Sequence, residues 1–346
     1  MVGLLWSMVL GGYPRSRLAR YTMRDLDSGR LSAFDGASRI ALATAHVVGA
    51  QVSAGMRYVV DGMLDWHDLF RPFVESWRNV YLDGLIRYFD NNFFYRIPVF
   101  RGEPEPQRLV LPGRVRGLAP LAEPAGVKAV LPGPVTLARL GRNESGLEDE
   151  ELVARIARAL AEEVRGAAEA GAGIIQVDEP FLADMDATAE DAELASEALE
   201  VLRKAAGGKP LVLAVYFDVP RLEVFKKLTG MDVDYLSLDV GDAPSRAVEL
   251  VKSGCRVSGL AVGVIDARRL YDDDLESVAS LVDKVVGACR PDEVVLTTTT
   301  WLDLIPYRFS LRKTALLGRY AEVISERLGL EYVSPITSRP KEYIQG

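Results

Sequence analysis

The pair Asp178-Glu179 carries the most obvious chemical potential in this chain. It follows the apolar run Gly173–Val177 directly, and Pro180 fixes the turn behind it. Carboxylates at a strand end can orient a ligand or a neighbouring loop. The plainer reading is that Asp178 caps a turn and Glu179 pairs with a structural arginine. Asp239 holds the corresponding place in the run Tyr235–Val240. Arg15, Arg17 and Arg20 form a basic cluster after the first apolar run. Guanidinium forks match carboxylates bidentately, so the cluster is either a seat for an anionic ligand or a solvated helix face.

Other chemistries lack their residues. The chain has two histidines, His46 and His67, both in segments that read as helical and so as structural. Cys255 and Cys289 each precede a strand, at the end away from the ligand loops. They show no CxxC or other zinc-ligand spacing, so neither a disulfide framework nor a structural zinc is expected. No Ser–His–Asp or Cys–His arrangement is visible.

These residues need elements to hold them. Short apolar runs recur at Val2–Leu10, Met56–Val60, Lys128–Leu131, Gly173–Val177, Leu211–Tyr216, Tyr235–Val240, Val257–Val264 and Glu293–Thr298. Without polar alternation, such runs suit parallel strands buried on both faces. Amphipathic stretches lie between them, clearest at Glu151–Ala168, Leu275–Val286 and Arg312–Leu328. About eight strands with helices after most of them predict an α/β fold, a (β/α)8 TIM barrel, as one domain over residues 1–346. The proline-rich stretch Tyr95–Arg116, with β-prone runs at Tyr95–Phe100 and Arg108–Leu111, predicts an inserted β-hairpin at about 90–116. An open doubly wound sheet competes, but Gly11-Gly12 leads into Tyr-Pro-Arg and not into a glycine-rich phosphate loop. In a barrel, ligands sit at the C-terminal strand ends, where Asp178, Glu179, Asp239 and Arg268 fall.

Composition narrows the partners. Charged residues make up 26% and the net charge is −8, so a nucleic-acid-binding surface is not expected. No apolar stretch is long enough for a bilayer, and the first run reads as a buried strand rather than a signal peptide. A cytoplasmic protein without membrane contact is expected. Asn and Gln are scarce, which hints at a thermophilic source.

Several motifs together resemble one family, the cobalamin-independent methionine synthases, and specifically their N-terminal barrel. Gly12-Tyr13-Pro14-Arg15 resembles the opening GFPR segment, and Tyr88-Phe89-Asp90-Asn91-Asn92-Phe93-Phe94-Tyr95 is similar to WFDTNYHY. Gly133-Pro134-Val135-Thr136 matches GPVT, and Gln176-Val177-Asp178-Glu179-Pro180 matches QIDEP. Leu238-Asp239-Val240 resembles LDLV, and Leu260–Arg268 is similar to LSLGVVDGRN. The segment after GYPR is shorter than in the family, and Thr297–Pro306 keeps its position more than its identity.

The resemblance implies methyl transfer from a methyltetrahydrofolate-like polyglutamate to homocysteine, in methionine biosynthesis. The family's zinc ligands belong to the second barrel and have no counterpart here. The resemblance therefore implies a split enzyme, a methyltransferase this chain does not complete alone. No metal or other cofactor is expected on this chain; zinc is expected on a homologous C-terminal-type barrel as partner. Donor-binding positions carried over from the family are Arg17, Arg20 and Arg87, with Asp178, Glu179 and Asp239 facing the ligand. The alternative is a stand-alone methyltransferase or a uroporphyrinogen-decarboxylase-like barrel with an unknown ligand; a non-enzymatic scaffold barrel is the third reading.

Overall fold

The computed structural model describes residues 3–89, 91 and 93–336. Val2 of the first expected strand, and Asp90 and Asn92 of the aromatic segment, lie outside the described residues. The chain runs through β1 (Leu4–Ser7), α1 (Arg17–Asp27), α2 (Ala33–Ser53), β2 (Tyr58–Val59) and α3 (Arg71–Val74). It continues through β3 (Trp77–Arg87), β4 (Phe94–Pro106), α4 (Leu111–Ala122), β5 (Gly126–Pro132), α5 (Pro134–Arg139) and β6 (Arg142–Asn143). Next come α6 (Asp149–Glu169), β7 (Ile174–Asp178), α7 (Ala189–Ala205), β8 (Leu211–Val215), α8 (Leu222–Leu228) and β9 (Tyr235–Asp239). The last elements are α9 (Pro244–Lys252), β10 (Gly259–Ile265), α10 (Leu275–Cys289), β11 (Glu293–Thr298), α11 (Tyr307–Leu328) and β12 (Glu331–Tyr332).

The main sheet has the order β12-β1-β11-β10-β9-β8-β7-β5-β2 with parallel pairs throughout. It curls until β2 meets β1. There the Arg57 N–H donates to the Ser7 carbonyl at 3.1 Å. The short β12 pairs with Leu4 and Leu5, filling the lower half of this seam. The fold is thus the expected (β/α)8 barrel. Each strand alternates inward and outward. Ile175, Val177, Leu213, Leu236 and Leu260 pack outward into the main core, whereas Trp6, Ile174, Val212, Tyr235, Ala261 and Val295 form a separate cluster within the barrel.

Helix chemistry follows the sequence. In α6, Leu152, Ile156 and Leu160 are buried on one face, and Asp149, Glu150 and Glu151 complement the positive end of the helix dipole. Gly171 (φ +100°) supplies the left-handed backbone just beyond it.

Three expectations need correction. The inserted hairpin is formed by β3 and β4, residues 77–106, and not by 90–116. Arg108–Leu111 is no strand: the Val110 and Leu111 N–H groups donate to the buried Glu163 carboxylate at 2.8–2.9 Å and so start α4. His67 lies in a loop before α3, not in a helix, while His46 is on α2 as expected. The cysteines, expected to stay apart, form a disulfide between the segment entering β10 and the end of α10. Its loop spans 34 residues. Closing a loop of that size restricts the unfolded chain by about 2–4 kcal/mol. Cys255→Ser should therefore lower the urea midpoint under oxidising conditions and leave it unchanged in excess dithiothreitol, where the wild type falls to the same value.

Candidate active site at the barrel mouth

Lys128, Gln176 and Asp178 form a buried polar column inside the barrel. The Lys128 ammonium donates to the Val9 and Leu10 carbonyls at 2.6 and 2.8 Å and to Gln176 Oε1 at 2.6 Å. Gln176 Nε2 donates to the Leu10 carbonyl at 2.8 Å and to Asp178 Oδ1 at 2.7 Å. Asp178 Oδ2 accepts from the Tyr216 hydroxyl at 2.9 Å and from Trp301 Nε1 at 3.0 Å. Burial pushes the Asp178 carboxyl up, with its hydrogen bonds and the Lys128 charge opposing. Burial also pulls the Lys128 amine down, with Asp178 opposing. Asp178 therefore positions Tyr216 and Trp301 at the mouth. Gly11 and Gly12 leave room for this indole: a β-carbon on Gly11 would sit 2.1 Å from Trp301 Nε1.

Glu179 turns sideways and holds a helix. Its carboxylate accepts from the Val135 and Thr136 N–H groups at 3.0 and 2.7 Å, satisfying the first turn of α5. Burial raises it to about 7 despite those bonds. Among the described residues no arginine pairs with it, so the plainer expectation is corrected in its partner though not in its structural character. Asp239 is buried with Arg268 Nη2 at 3.6 Å, and its Oδ2 has no hydrogen-bond partner among the described residues. Burial pushes Asp239 up to about 8, and the Arg268 charge opposes this. Arg268 also donates to the Phe217 carbonyl at 3.0 Å; Phe217 itself sits at φ +83°, a strained backbone for a phenylalanine.

The hairpin reaches back over the mouth. Tyr88 packs edge-on against Phe70, Tyr95 and Phe217, with centroids 5.2–5.8 Å apart in this group. Beneath it, one cavity is lined by His67, Asp68, Tyr216, Trp301 and Asp303. A second, about 310 Å³, lies between the loops after β1, β2 and β11 and is bordered by Trp66, Phe93 and Arg20.

Of the expected site residues, Asp178, Glu179 and Asp239 all lie at the C-terminal ends of their strands, each with its own neighbours. The arginines stand on the rim. Arg17 and Arg20 are exposed on α1, their guanidinium groups 5.6 and 5.5 Å from the Tyr21 ring. Arg20 borders the second cavity; Arg17 and Arg87 border neither, and Arg87 is exposed at the end of β3. Arg15 is structural, donating to the Leu64 and Trp66 carbonyls at 2.8 and 2.7 Å. Trp66, Lys128, Trp301 and Asp303 were not singled out from sequence. Only Trp301 carried a signal, its place just after the last strand.

The profile of the cobalamin-independent synthase N-terminal domain matches residues 79–290, more than half of the chain. The chain belongs to that family. A methionine synthase of Sulfolobus acidocaldarius is 24% identical over 339 residues, covering 98% of each chain. One from Saccharolobus solfataricus is 24% identical over 94% of this chain and 96% of its own. The structure of a B12-independent methionine synthase from Shewanella sp. W3-18-1 in complex with selenomethionine superposes with a TM-score of 0.78 at 19% identity, over 93% of this chain and 98% of that one. The barrel is thus shared with this cobalamin-independent group.

The family's zinc does not fit the donors of this member. Its cysteines are bonded to each other at the far end of the barrel. His46 Nδ1 is 2.7 Å from the Tyr307 hydroxyl, and His67 Nε2 is 3.5 Å from Asp27. Among the described residues no three His, Cys, Asp or Glu side chains converge on a point suited to a metal ion. No helix among them is long and apolar enough to cross a membrane.

Proposed function

We propose that this chain is the donor-binding, N-terminal-type barrel of a split methionine synthase. It holds a methyltetrahydrofolate-like polyglutamate, and a separate homologous barrel carries zinc and homocysteine. One observation carries the reading: the mouth has aromatic-lined cavities, while Asp178 and Glu179 are engaged in holding the protein and the cysteines are sequestered at the opposite end. Such a mouth can bind and orient a flat donor; among the described residues it offers a single imidazole, His67, and no thiolate with which to activate a thiol. The family membership and the names of the relatives support methyl transfer in methionine biosynthesis.

The arginine rim supplies the test. Arg17 and Arg20 have no ion-pair partner among the described residues. If they and Arg87 receive the donor's γ-linked carboxylates, Arg20→Ala should weaken a triglutamyl donor about 2- to 5-fold, as one exposed charge contact is worth up to about 1 kcal/mol. The monoglutamyl donor should change less, and the difference should shrink as salt rises. Calorimetric titration of both donors, with the partner barrel present, reads this directly. Equal loss for both forms, or none for either, would remove the arginines from the donor site.

A further inference from the structure

Two helices on one flank of the barrel present outer faces unlike those of their neighbours. On α7 every exposed residue is charged: Glu190, Glu193, Glu197, Glu200 and Lys204. On α6 the exposed residues are charged except for Ala154. Such faces are the ordinary outer surface of a barrel helix in water. α2 differs. Asp35 and Arg39, of opposite sign, and His46 are the ionisable residues it exposes, over 21 residues of helix. Phe34 is 80% exposed there and Leu42 68%. α4 packs beside α2 and exposes one charge, Arg116, together with Leu121 and small residues. The chain carries a net charge of −8, so two copies repel over most of their surface and least over this flank.

We propose that this flank joins two copies of the chain, with α2 packed antiparallel against α2 of the other copy. The order of residues along α2 fits a copy of itself. Phe34, Ser38, Ala41 and the half-buried Ala45 recur at steps of four, three and four, the spacing of a seam between two helices. A two-fold axis between Ala41 and Leu42 is equally far from Phe34 and from Gly49. Each Phe34 ring then lies over Gly49 of the other copy. A β-carbon added at Gly49 would meet nothing within 4 Å, so that place is open to the ring. Ser38 and Ala45 meet as small residues, which lets the backbones approach. The Ser38 hydroxyl already donates to the Phe34 carbonyl at 3.1 Å, so its burial strands no polar group. The same axis sets α4 against its own mate. A helix of 21 residues is about 31 Å long and one of 12 residues about 18 Å, each roughly 10 Å wide. The flank thus offers about 500 Å² per copy and about 1,000 Å² per pair, the lower limit of a specific interface. A reversible dimer is expected, and the isologous contact closes on itself without forming filaments.

Sedimentation velocity of the full chain across the micromolar range tests the contact. The wild type should show a monomer–dimer equilibrium. Leu42→Glu sets two carboxylates beside the axis and should weaken the dimer at least about tenfold. Gly49→Leu fills the place of the Phe34 ring and should weaken it as well, while the monomer melts no lower, because leucine is the better helix former. Both positions are exposed, so neither change disturbs the core. Tyr271→Glu, on the exposed loop before α10, should leave dimerisation as it is. The native cysteines are bonded to each other, so a thiol introduced by Ala41→Cys should be joined between copies by a short bismaleimide, and one introduced on α6 by Glu162→Cys should not. A monomer at every concentration would overturn the proposal. So would a dimer that both Leu42→Glu and Gly49→Leu leave intact. Loss of the dimer on adding the zinc-bearing barrel, with Leu42→Glu blocking the new complex, would assign the flank to that barrel and overturn it too.

Discussion

Lys128→Met should destabilise the barrel by about 3–5 kcal/mol, the size seen when one member of a buried charged network is removed. Methionine keeps the length of the stem and its apolar volume. It cannot donate to the Val9 and Leu10 carbonyls or to Gln176, so three buried acceptors lose their shared partner. The loss propagates, because Gln176 also orients Asp178, and Asp178 orients Tyr216 and Trp301. Urea unfolding followed by circular dichroism gives the size of the effect. Its pH dependence gives the cause. Burial lowers the folded-state pKa of Lys128. The unfolded chain then binds more protons than the folded one between that lowered value and the ordinary lysine value, so this residue adds stability as pH rises through the window. The methionine variant lacks that rise, and its deficit should widen from neutral pH towards pH 10. A constant deficit would mean that the amine is not desolvated.

Gly133→Ala should cost about 2–4 kcal/mol, through Glu179 rather than through the glycine's own backbone. An added β-carbon would lie 2.0 Å from Glu179 Cδ, inside any tolerable contact. Glu179 is fully buried, and its oxygens are committed to the Val135 and Thr136 N–H groups. Moving it strips the first turn of α5 of its acceptor. Glu179→Ala should cost a similar amount for the same reason. The double variant should cost clearly less than the sum, since the clash and the lost cap are one event. Additive losses in the double-mutant cycle would show that the two positions act independently.

The residues disclosed some levels of this structure better than others. Runs such as Leu211–Tyr216 and Glu293–Thr298 mark their strands almost to the residue, because a strand buried on both faces has no polar positions to blur it. The hairpin was displaced because β3 is largely exposed beyond Val80 and bulged near Gly84, so its period is lost. The cysteine pair was missed because its contact is created by the α9–β10 turn and the end of α10, which no spacing rule encodes. Asp178 and Glu179 were visible as strand-end carboxylates. What they do was not, because it depends on five other groups, four of them distant in sequence: Gln176, Tyr216, Trp301, and the N–H groups of Val135 and Thr136. Trp66 had no pattern around it, and Asp303 lay unmarked within the segment Thr297–Pro306; the folded cavity makes them neighbours.

The proposed division of labour gives this barrel the donor and a separate barrel zinc and homocysteine. Methionine formation from triglutamyl methyltetrahydrofolate and homocysteine, measured with this chain alone, with the zinc-bearing homologous barrel alone, and with both, tests it most directly. The account predicts turnover only in the mixture, rising with added chain until the two barrels are equimolar. Full turnover by the isolated chain, or turnover by the zinc-bearing barrel that this chain does not increase, would contradict it.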